Sequence, residues 1–167
     1  MKEKIIQQIL DSASMKESMV DTCISHIESA AILMIESIQN GGKILWCGNG
    51  GSAGDAQHLA TELMGGMTSH ERKPIPSIAL TTDSSFITAW SNDTDFESIF
   101  SRQVQGLGKE GDVLVGISTS GNSENIIKAI NASKQINLKV FGFLGAGGGK
   151  AIALCDEVFL VPSMDTG

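Results

Sequence analysis

The sequence is poor in cysteine and proline and has no tyrosine: three cysteines and three prolines are spread over 167 residues. The cysteines are odd in number and widely separated, at Cys23, Cys47 and Cys155, which indicates reduced thiols rather than a disulfide framework or a zinc ribbon. No window approaches the roughly 18 apolar residues that a membrane-spanning helix needs. Charged and amide side chains interrupt the N-terminal segment, so it is not typical of a signal peptide. We therefore expect a soluble, cytoplasmic protein with no membrane partner.

Positive charge is also scarce. The formal net charge is −7 and no basic run is longer than Arg72-Lys73, so the sequence lacks the basic footprint of a nucleic-acid-binding protein. A chain of 167 residues is expected to form one domain that buries about 70% of its unfolded surface. Nineteen glycines favour many tight turns between strands and helices.

The apolar pattern alternates between strand and helix along most of the chain. Residues 2–40 are predicted to form a helical arm, broken near residues 11–14, that packs either on the sheet or against another subunit. Beyond it, the pattern predicts strands at residues 43–47, 77–80, 113–117, 139–144 and 157–161. It predicts helices at residues 53–64, 84–90, 96–107, 124–135 and 150–154. This order predicts an α/β fold, a doubly wound parallel sheet of about five strands with helices on both faces.

A hydroxyl-rich loop, residues 118–123, follows one of the predicted central strands and precedes a helix. It contains four hydroxyl side chains: Ser118, Thr119, Ser120 and Ser123. Backbone N–H groups at a helix N-terminus favour an anion, above all phosphate. Since the loop has no lysine or arginine, it would bind by hydrogen bonds and by the helix dipole. This hydroxyl loop predicts a site for a phosphorylated small molecule.

A second, glycine-rich loop, residues 48–52, also follows a strand. Gly48, Gly50 and Ala53 fit the dinucleotide-binding pattern G-x-G-x-x-A, which predicts an acidic residue about 20 positions further on. The nearest acid after the second strand is Asp83, 35 residues beyond Gly48, and no Walker loop is present. The glycine loop is therefore either a simple turn or a second wall of the pocket that contains the hydroxyl loop. A dinucleotide site, as in a nucleotide-linked oxidoreductase, is the weaker alternative.

His58 and Glu62 lie four residues apart on the helix that follows the glycine loop, so they share one helix face. Such a pair is most often an ordinary exposed polar pair. Near a pocket it could also supply half of a tetrahedral metal site, with zinc the usual metal, or a carboxylate that acts as a general base.

The remaining candidates have simpler interpretations. Asn92-Asp93 is either a pair of helix caps or a partner for sugar hydroxyls. Cys47 at the end of a strand is expected to be a buried small apolar residue. No acid–histidine order accompanies the serines, which argues against a serine hydrolase. The aromatic side chains expected in the core are Trp46, Phe86 and Trp90.

With these residues in view, the chain resembles the sugar isomerase (SIS) domain family, most closely the bacterial phosphoheptose isomerases. The motifs that support the resemblance are CGNGGSAGDAQHLATEL at 47–63, IALTTD at 78–83, ND at 92–93, FSRQV at 100–104 and GDVLVGISTSGNSENIIKAI at 111–130. It covers nearly the whole chain and implies a single SIS domain over residues 1–167, with residues 1–40 as its arm. Members typically convert sedoheptulose 7-phosphate to D-glycero-D-manno-heptose 7-phosphate for lipopolysaccharide core or capsule, as cytoplasmic homotetramers that use zinc.

The resemblance also assigns roles to particular residues. It implies that His58 and Glu62 are zinc ligands and that Glu62 is also the catalytic carboxylate, which moves a proton between C1 and C2 through an enediol. The implied substrate contacts are Asn49, Gly50, Gly51, Asn92 and Asp93, and the implied phosphate ligands are Ser118, Thr119, Ser120 and Ser123.

One departure from the family pattern concerns the C-terminus. In the family, a helix with the motif Arg-Ile-Gln-Glu-x-His follows the Val-Pro-Ser strand and supplies a glutamine and a histidine to zinc, and that histidine is the second acid/base. Here only residues 164–167 follow Ser163. We expect these 167 residues alone to have little isomerase activity. The alternative is a non-catalytic SIS binding module such as DiaA, which binds the DnaA initiator; Glu62 discriminates, since DiaA lacks that carboxylate.

Overall fold

The structure is a computed structural model that describes residues 1–163. The helices in chain order are α1 (Lys2–Thr22), α2 (Ile24–Gln39), α3 (Gly51–Gly65), α4 (Ser84–Asp93), α5 (Ile99–Leu107) and α6 (Glu124–Gln135). The strands are β1 (Ile44–Gly48), β2 (Ser77–Ala79), β3 (Val113–Ser118), β4 (Lys139–Gly145) and β5 (Glu157–Val161). Short 3₁₀ turns occupy Phe96–Ser98 and Ala151–Ala153.

The five strands form one parallel sheet in the order β2-β1-β3-β4-β5. Every residue of β1 and β3 is buried, as expected for central parallel strands covered on both faces. Because the chain moves outward from β1 to β2 and then returns to β3, the direction of winding reverses between β1 and β3. In open α/β sheets this reversal leaves a crevice at the carboxyl ends of the two strands, where ligands bind.

The core has two layers, one on each face of the sheet. On one face, α2 and α3 cover Ile44, Trp46, Val113, Val115 and Phe141. On the other face, α5 and α6 cover Leu45, Cys47, Leu114, Val140 and Leu144. This arrangement confirms the doubly wound α/β prediction and the buried positions of Trp46 and Cys47, whereas Phe86 and Trp90 are only half-buried and stack on each other.

The predicted break of the N-terminal arm near residues 11–14 is wrong, because the two helices meet at Cys23 with a bend of 71°. Helix α1 runs through the polar stretch, since its side chains are exposed and Gln7 Nε2 donates to Asp11 Oδ1 at 2.7 Å. The chain turns where the Cys23 side chain is buried and its Sγ lies 3.4 Å from Leu160 O of β5. No single helix within residues 1–163 is long and apolar enough to cross a membrane; α1 and α2 pass that test only when taken together across their bend.

Two other predicted boundaries need correction. The helix predicted at residues 84–90 is too short, because α4 continues to Asp93 and ends where Thr94 Oγ1 donates to Trp90 O. Helix α3 begins at Gly51 rather than at Ala53, so the glycine loop has only Asn49 and Gly50 between strand and helix. The predicted bounds of α6 and β5 agree with the structure, and those of the other strands differ by one residue. Residues 150–154 contain a 3₁₀ turn and residues 96–107 begin with one.

Candidate functional site

A cavity of about 390 Å³ lies where the winding reverses, at the carboxyl ends of β1 and β3. It is lined by Asn49, Ser52, Ile117, Ser118, Thr119, Ser120, Ser123, Ala146 and Ser163. An adjoining cavity of about 230 Å³ shares Ser52, Ile117, Thr119 and Ser163 with it and adds Asp55, Phe143 and Phe159 among its lining. The two loops singled out in the sequence therefore meet at one pocket, and all four predicted phosphate ligands line it.

The hydroxyl loop is shaped by its own side chains. Ser118 is 5% exposed, and its Oγ accepts from Gly121 N at 3.2 Å and lies 3.4 Å from Ser123 Oγ. Ser120 Oγ accepts from Asn122 N at 3.2 Å. Ser123 occupies the N-cap position of α6, but its hydroxyl makes no capping bond. These hydroxyls therefore gather at the positive end of the α6 dipole, in a cavity whose described lining has no lysine or arginine.

The end of β4 and the segment after it, residues 145–151 (the β4 loop), brace the hydroxyl loop from behind. Gly145 N donates to Thr119 O at 3.1 Å, Ala151 N donates to Gly121 O at 3.0 Å, and Lys150 N donates to Asn122 Oδ1 at 3.1 Å. Gly121 has φ +62°, and a Cβ there would collide with the carbonyl of Gly148. The glycines at 145 and 147–149 were the sequence signal available for this close backbone contact.

The glycine loop forms the opposite wall. Gly50 has φ +58°, and a Cβ on Gly48 would collide with the backbone of Ser52, so both glycines are needed for this turn. Asn49 is half-buried, lines the cavity and pairs with the side chain of Asn125 in α6. Asn125 was not among the candidate residues identified from the sequence. Of the predicted substrate contacts here, Asn49 lines the cavity, while Gly50 and Gly51 lie beside it in the chain.

His58 and Glu62 lie on α3, beyond the lining of both cavities. His58 Nδ1 is 3.8 Å from Glu62 Oε1, and their side chains are 69% and 29% exposed. Arg72 holds the end of this helix by donating to Glu62 O at 2.7 Å and to Leu63 O at 2.6 Å. The pair fits a metal as two converging donors, one nitrogen and one oxygen. Residues 1–163 contain no group of three or more His, Cys, Asp or Glu side chains that could hold a metal ion.

Asn92 and Asp93 lie in the last turn of α4, where both are exposed. Asn92 Nδ2 donates to Asp93 Oδ1 at 2.8 Å. Neither residue lines the two cavities at the carboxyl ends of β1 and β3. Within the described chain they are therefore not brought to the hydroxyl loop, and their contact with substrate stays a prediction.

The cysteines show no sign of a nucleophile. Burial raises the pKa of the Cys47 thiol well above its ordinary range, with its Sγ directed at Val115 O. Burial also raises the pKa of Cys155 to about 11. Thiolates are the reactive form, so burial disfavours both groups as nucleophiles near neutral pH.

Comparisons with known proteins agree with this geometry. Residues 9–145 match the family described as SIS domain. A phosphoheptose isomerase from Nitratiruptor sp. is 46% identical over 166 residues, covering 99% of this chain and 88% of that protein. One from Rhodospirillum rubrum is 52% identical over 144 residues, 86% of this chain and 76% of its own length.

Solved structures show the same fold. Phosphoheptose isomerase GmhA from Neisseria gonorrhoeae superposes with a TM-score of 0.93 at 42% identity, covering 99% of this chain and 88% of that one. A phosphoheptose isomerase from Francisella tularensis gives a TM-score of 0.94 at 38% identity, over 98% and 87% of the two chains. The identity, the coverage and the cavity at the hydroxyl loop lead to one assignment: the chain belongs to the SIS domain family, among its phosphoheptose isomerases.

Proposed function

We propose that this isomerase converts sedoheptulose 7-phosphate to D-glycero-D-manno-heptose 7-phosphate, for the heptose of lipopolysaccharide core or of capsule. The observation that carries the proposal is the hydroxyl loop, whose Ser118, Ser120 and Ser123 line a cavity at the N-terminus of α6. The relatives named phosphoheptose isomerase support the substrate class.

The phosphate end would be held without formal positive charge. The loop hydroxyls donate hydrogen bonds to the phosphate oxygens, and the α6 dipole adds a favourable field. Asn49, on the opposite wall of the same cavity, has amide groups suited to the sugar chain. Anchoring the phosphate in this way fixes one end of a flexible substrate, so the reacting carbons are presented in one register.

The chemistry needs one proton moved between neighbouring carbons. In the proposed mechanism the Glu62 carboxylate removes a proton from C1 of the ketose, the C–H electron pair forms the C1=C2 bond, and the C2 oxygen takes a proton from the second acid/base group, the histidine that the family resemblance assigns to the C-terminal helix. Glu62 then returns its proton to C2, while the C1 hydroxyl gives its proton back to that second group and becomes the aldehyde. Atoms and electrons balance without an oxidant or a reductant. Asn92 and Asp93 would meet sugar hydroxyls in this scheme.

Zinc belongs to the proposal, with His58 and Glu62 as two of its ligands. Bound zinc would supply a Lewis acid that polarises the substrate carbonyl. The separation of 3.8 Å between His58 Nδ1 and Glu62 Oε1 is compatible with two ligands that close slightly around one ion. The family resemblance assigns the other ligands, a glutamine and a histidine, to a helix beyond Ser163, which lies outside the described residues.

We propose that the protein works as a homotetramer in the cytoplasm. The apolar side chains of Ile5, Ile6, Ile9 and Leu10 on α1 are 46–63% exposed, and no residue of α1 is buried in the single chain. Exposed apolar surface of this kind is typical of an interface. Light scattering would then give about four times the 17.6 kDa of one chain.

A turnover assay with sedoheptulose 7-phosphate tests the function. The assay compares the 167-residue chain with the same chain extended by the C-terminal segment of the Nitratiruptor relative, each with zinc and with a chelator. We expect turnover from the extended chain that the chelator abolishes. Turnover from the shorter chain should be lower by about 100-fold or more, since the proposal places the second acid/base group in the added segment. Absence of turnover by the extended chain with zinc would contradict the proposed function. Equal turnover by the two chains would contradict the assignment of the second acid/base group and the remaining zinc ligands to the added helix.

A further inference from the structure

Asn125 and Asn49 form a reciprocal amide pair beside the cavity. Asn49 Nδ2 donates to Asn125 Oδ1 at 2.9 Å, and Asn125 Nδ2 donates to Asn49 Oδ1 at 2.8 Å. Asn125 is 3% exposed, so its amide is removed from water and depends on this partner. A buried amide that loses its partner costs the desolvation of both its donor and its acceptor.

The pair joins the two loops of the site. Asn49 directly follows β1 in the glycine loop, and Asn125 is the second residue of α6, two positions after the last residue of the hydroxyl loop. The two residues are 76 positions apart in the chain, and β1 and β3 are hydrogen-bonded neighbours. The amide pair therefore fixes the distance between the two walls on either side of the crevice.

The two amides have different access to the cavity. An asparagine amide has two N–H donors and an oxygen with two lone pairs, and the pair uses one donor and one lone pair of each residue. Asn49 lines the cavity and keeps one N–H and one lone pair for a ligand. Asn125 does not line it. The Asn125 side chain can therefore act on a ligand through the position of Asn49.

We propose that Asn125 is a positioning residue for the sugar phosphate: it holds the Asn49 amide in the cavity and keeps the glycine loop in register with the hydroxyl loop. The identity of the ligand rests on the proposed function, whereas the coupling of the two loops does not. A contact that is held throughout the reaction contributes to binding rather than to the rate of the chemical step.

Calorimetric titration of the 167-residue chain with sedoheptulose 7-phosphate tests this role. We expect Asn125→Ala to raise Kd about tenfold at unchanged stoichiometry, the effect of losing roughly one well-placed hydrogen bond. In an Asn49→Ala background the same change should raise Kd by less than about twofold, because Asn125 acts only through Asn49. The matched control is Asn131→Ala, an exposed asparagine of the same helix, which should leave Kd unchanged. A fall in stoichiometry at unchanged Kd would indicate a merely structural role and would overturn the proposal.

Hydrogen exchange gives a second readout that does not need a ligand. In Asn125→Ala, backbone amides of residues 50–54 should exchange about tenfold faster, while those of β5 keep their wild-type rates. If the alanine variant does not fold, Asn125→Asp keeps the volume and removes the donor, with the same expectation for residues 50–54. Wild-type exchange in that segment would overturn the proposal. If the wild-type chain binds no sugar phosphate, the proposed function fails, and the exchange rates still decide whether Asn125 positions the loop.

Discussion

The hydroxyl loop and the His58–Glu62 pair stand at the two ends of the proposed site and are held in contrasting ways. In the hydroxyl loop, backbone atoms from the β4 loop and side chains of Ser118 and Ser120 fix the conformation from several sides. On α3, the side chain of His58 is 69% exposed and that of Glu62 is 29% exposed, and His58 Nδ1 lies 3.8 Å from Glu62 Oε1.

The difference reflects what each end has to do. An anion site can be built from N–H groups, hydroxyls and one helix end, all of which this chain brings together locally. Proton transfer and metal binding need charged groups that converge, and such groups repel each other or lose hydration unless a ligand or another segment completes the set. In residues 1–163 the proposed phosphate anchor is therefore built from groups that lie close together in the chain, whereas the proposed reacting end has two side chains, His58 and Glu62.

The largest expected effect is at the reacting end. Glu62→Gln keeps the shape of the side chain but removes the base, so we expect kcat to fall about 10²–10⁴-fold in the active extended protein. Binding of sedoheptulose 7-phosphate, measured by calorimetry, should change little, because the anchor is intact. Glu71→Gln, at an exposed acid in the following loop, is the matched control. Retained turnover in Glu62→Gln would remove the role given to this carboxylate.

The next effect is at the brace behind the anchor. Gly121→Ala forces a side chain into the left-handed region, at about 1–2 kcal/mol, and drives its Cβ into the backbone of Gly148, at about 1–3 kcal/mol more. Gly41→Ala is the control, since Gly41 also has positive φ but its Cβ would meet no described atom within 4 Å. Denaturant titration should show the larger loss of unfolding free energy for Gly121→Ala. Equal losses would mean that the β4 loop does not brace the hydroxyl loop.

The smallest effect concerns a single hydroxyl of the anchor. Ser120→Ala should weaken binding of sedoheptulose 7-phosphate by about 1–3 kcal/mol, the loss of one hydrogen bond to a charged phosphate oxygen, and leave kcat nearly unchanged. Calorimetry on Ser120→Ala beside Ser85→Ala, an exposed serine at the start of α4, measures it. Unaltered affinity would argue against the loop as the phosphate site.

Local signals made the position of the hydroxyl loop predictable from the sequence. The bounds of α6 and β5 agree with their predictions, because each has an unbroken apolar pattern and polar or glycine residues at its ends. Serine and threonine side chains between a buried strand and the start of a helix typically cap the helix N-terminus or bind an anion there. The hydroxyl loop and its place at the sheet edge therefore followed from periodicity and composition.

The features missed from the sequence depend on distant partners. The Asn49–Asn125 pair and the contact of Gly121 with Gly148 join segments that only the strand order brings together. The arm bends at Cys23 because that side chain is buried near β5, a contact 137 residues away in the chain. The exposed polar residues at 11–14 do not interrupt the helix, since polar side chains on a solvent-exposed face reduce helix stability only slightly. The burial of Cys23 therefore decides where the arm bends.

Titration of the isotope-labelled 167-residue chain with inorganic phosphate, followed by amide chemical shifts, tests the central claim most directly. We predict shifts at the backbone amides of residues 119–124 and none at His58 or Glu62, with sedoheptulose 7-phosphate then shifting both regions. Shifts at His58 and Glu62 with phosphate alone, or none at residues 119–124, would contradict the assignment of the anchor to the hydroxyl loop.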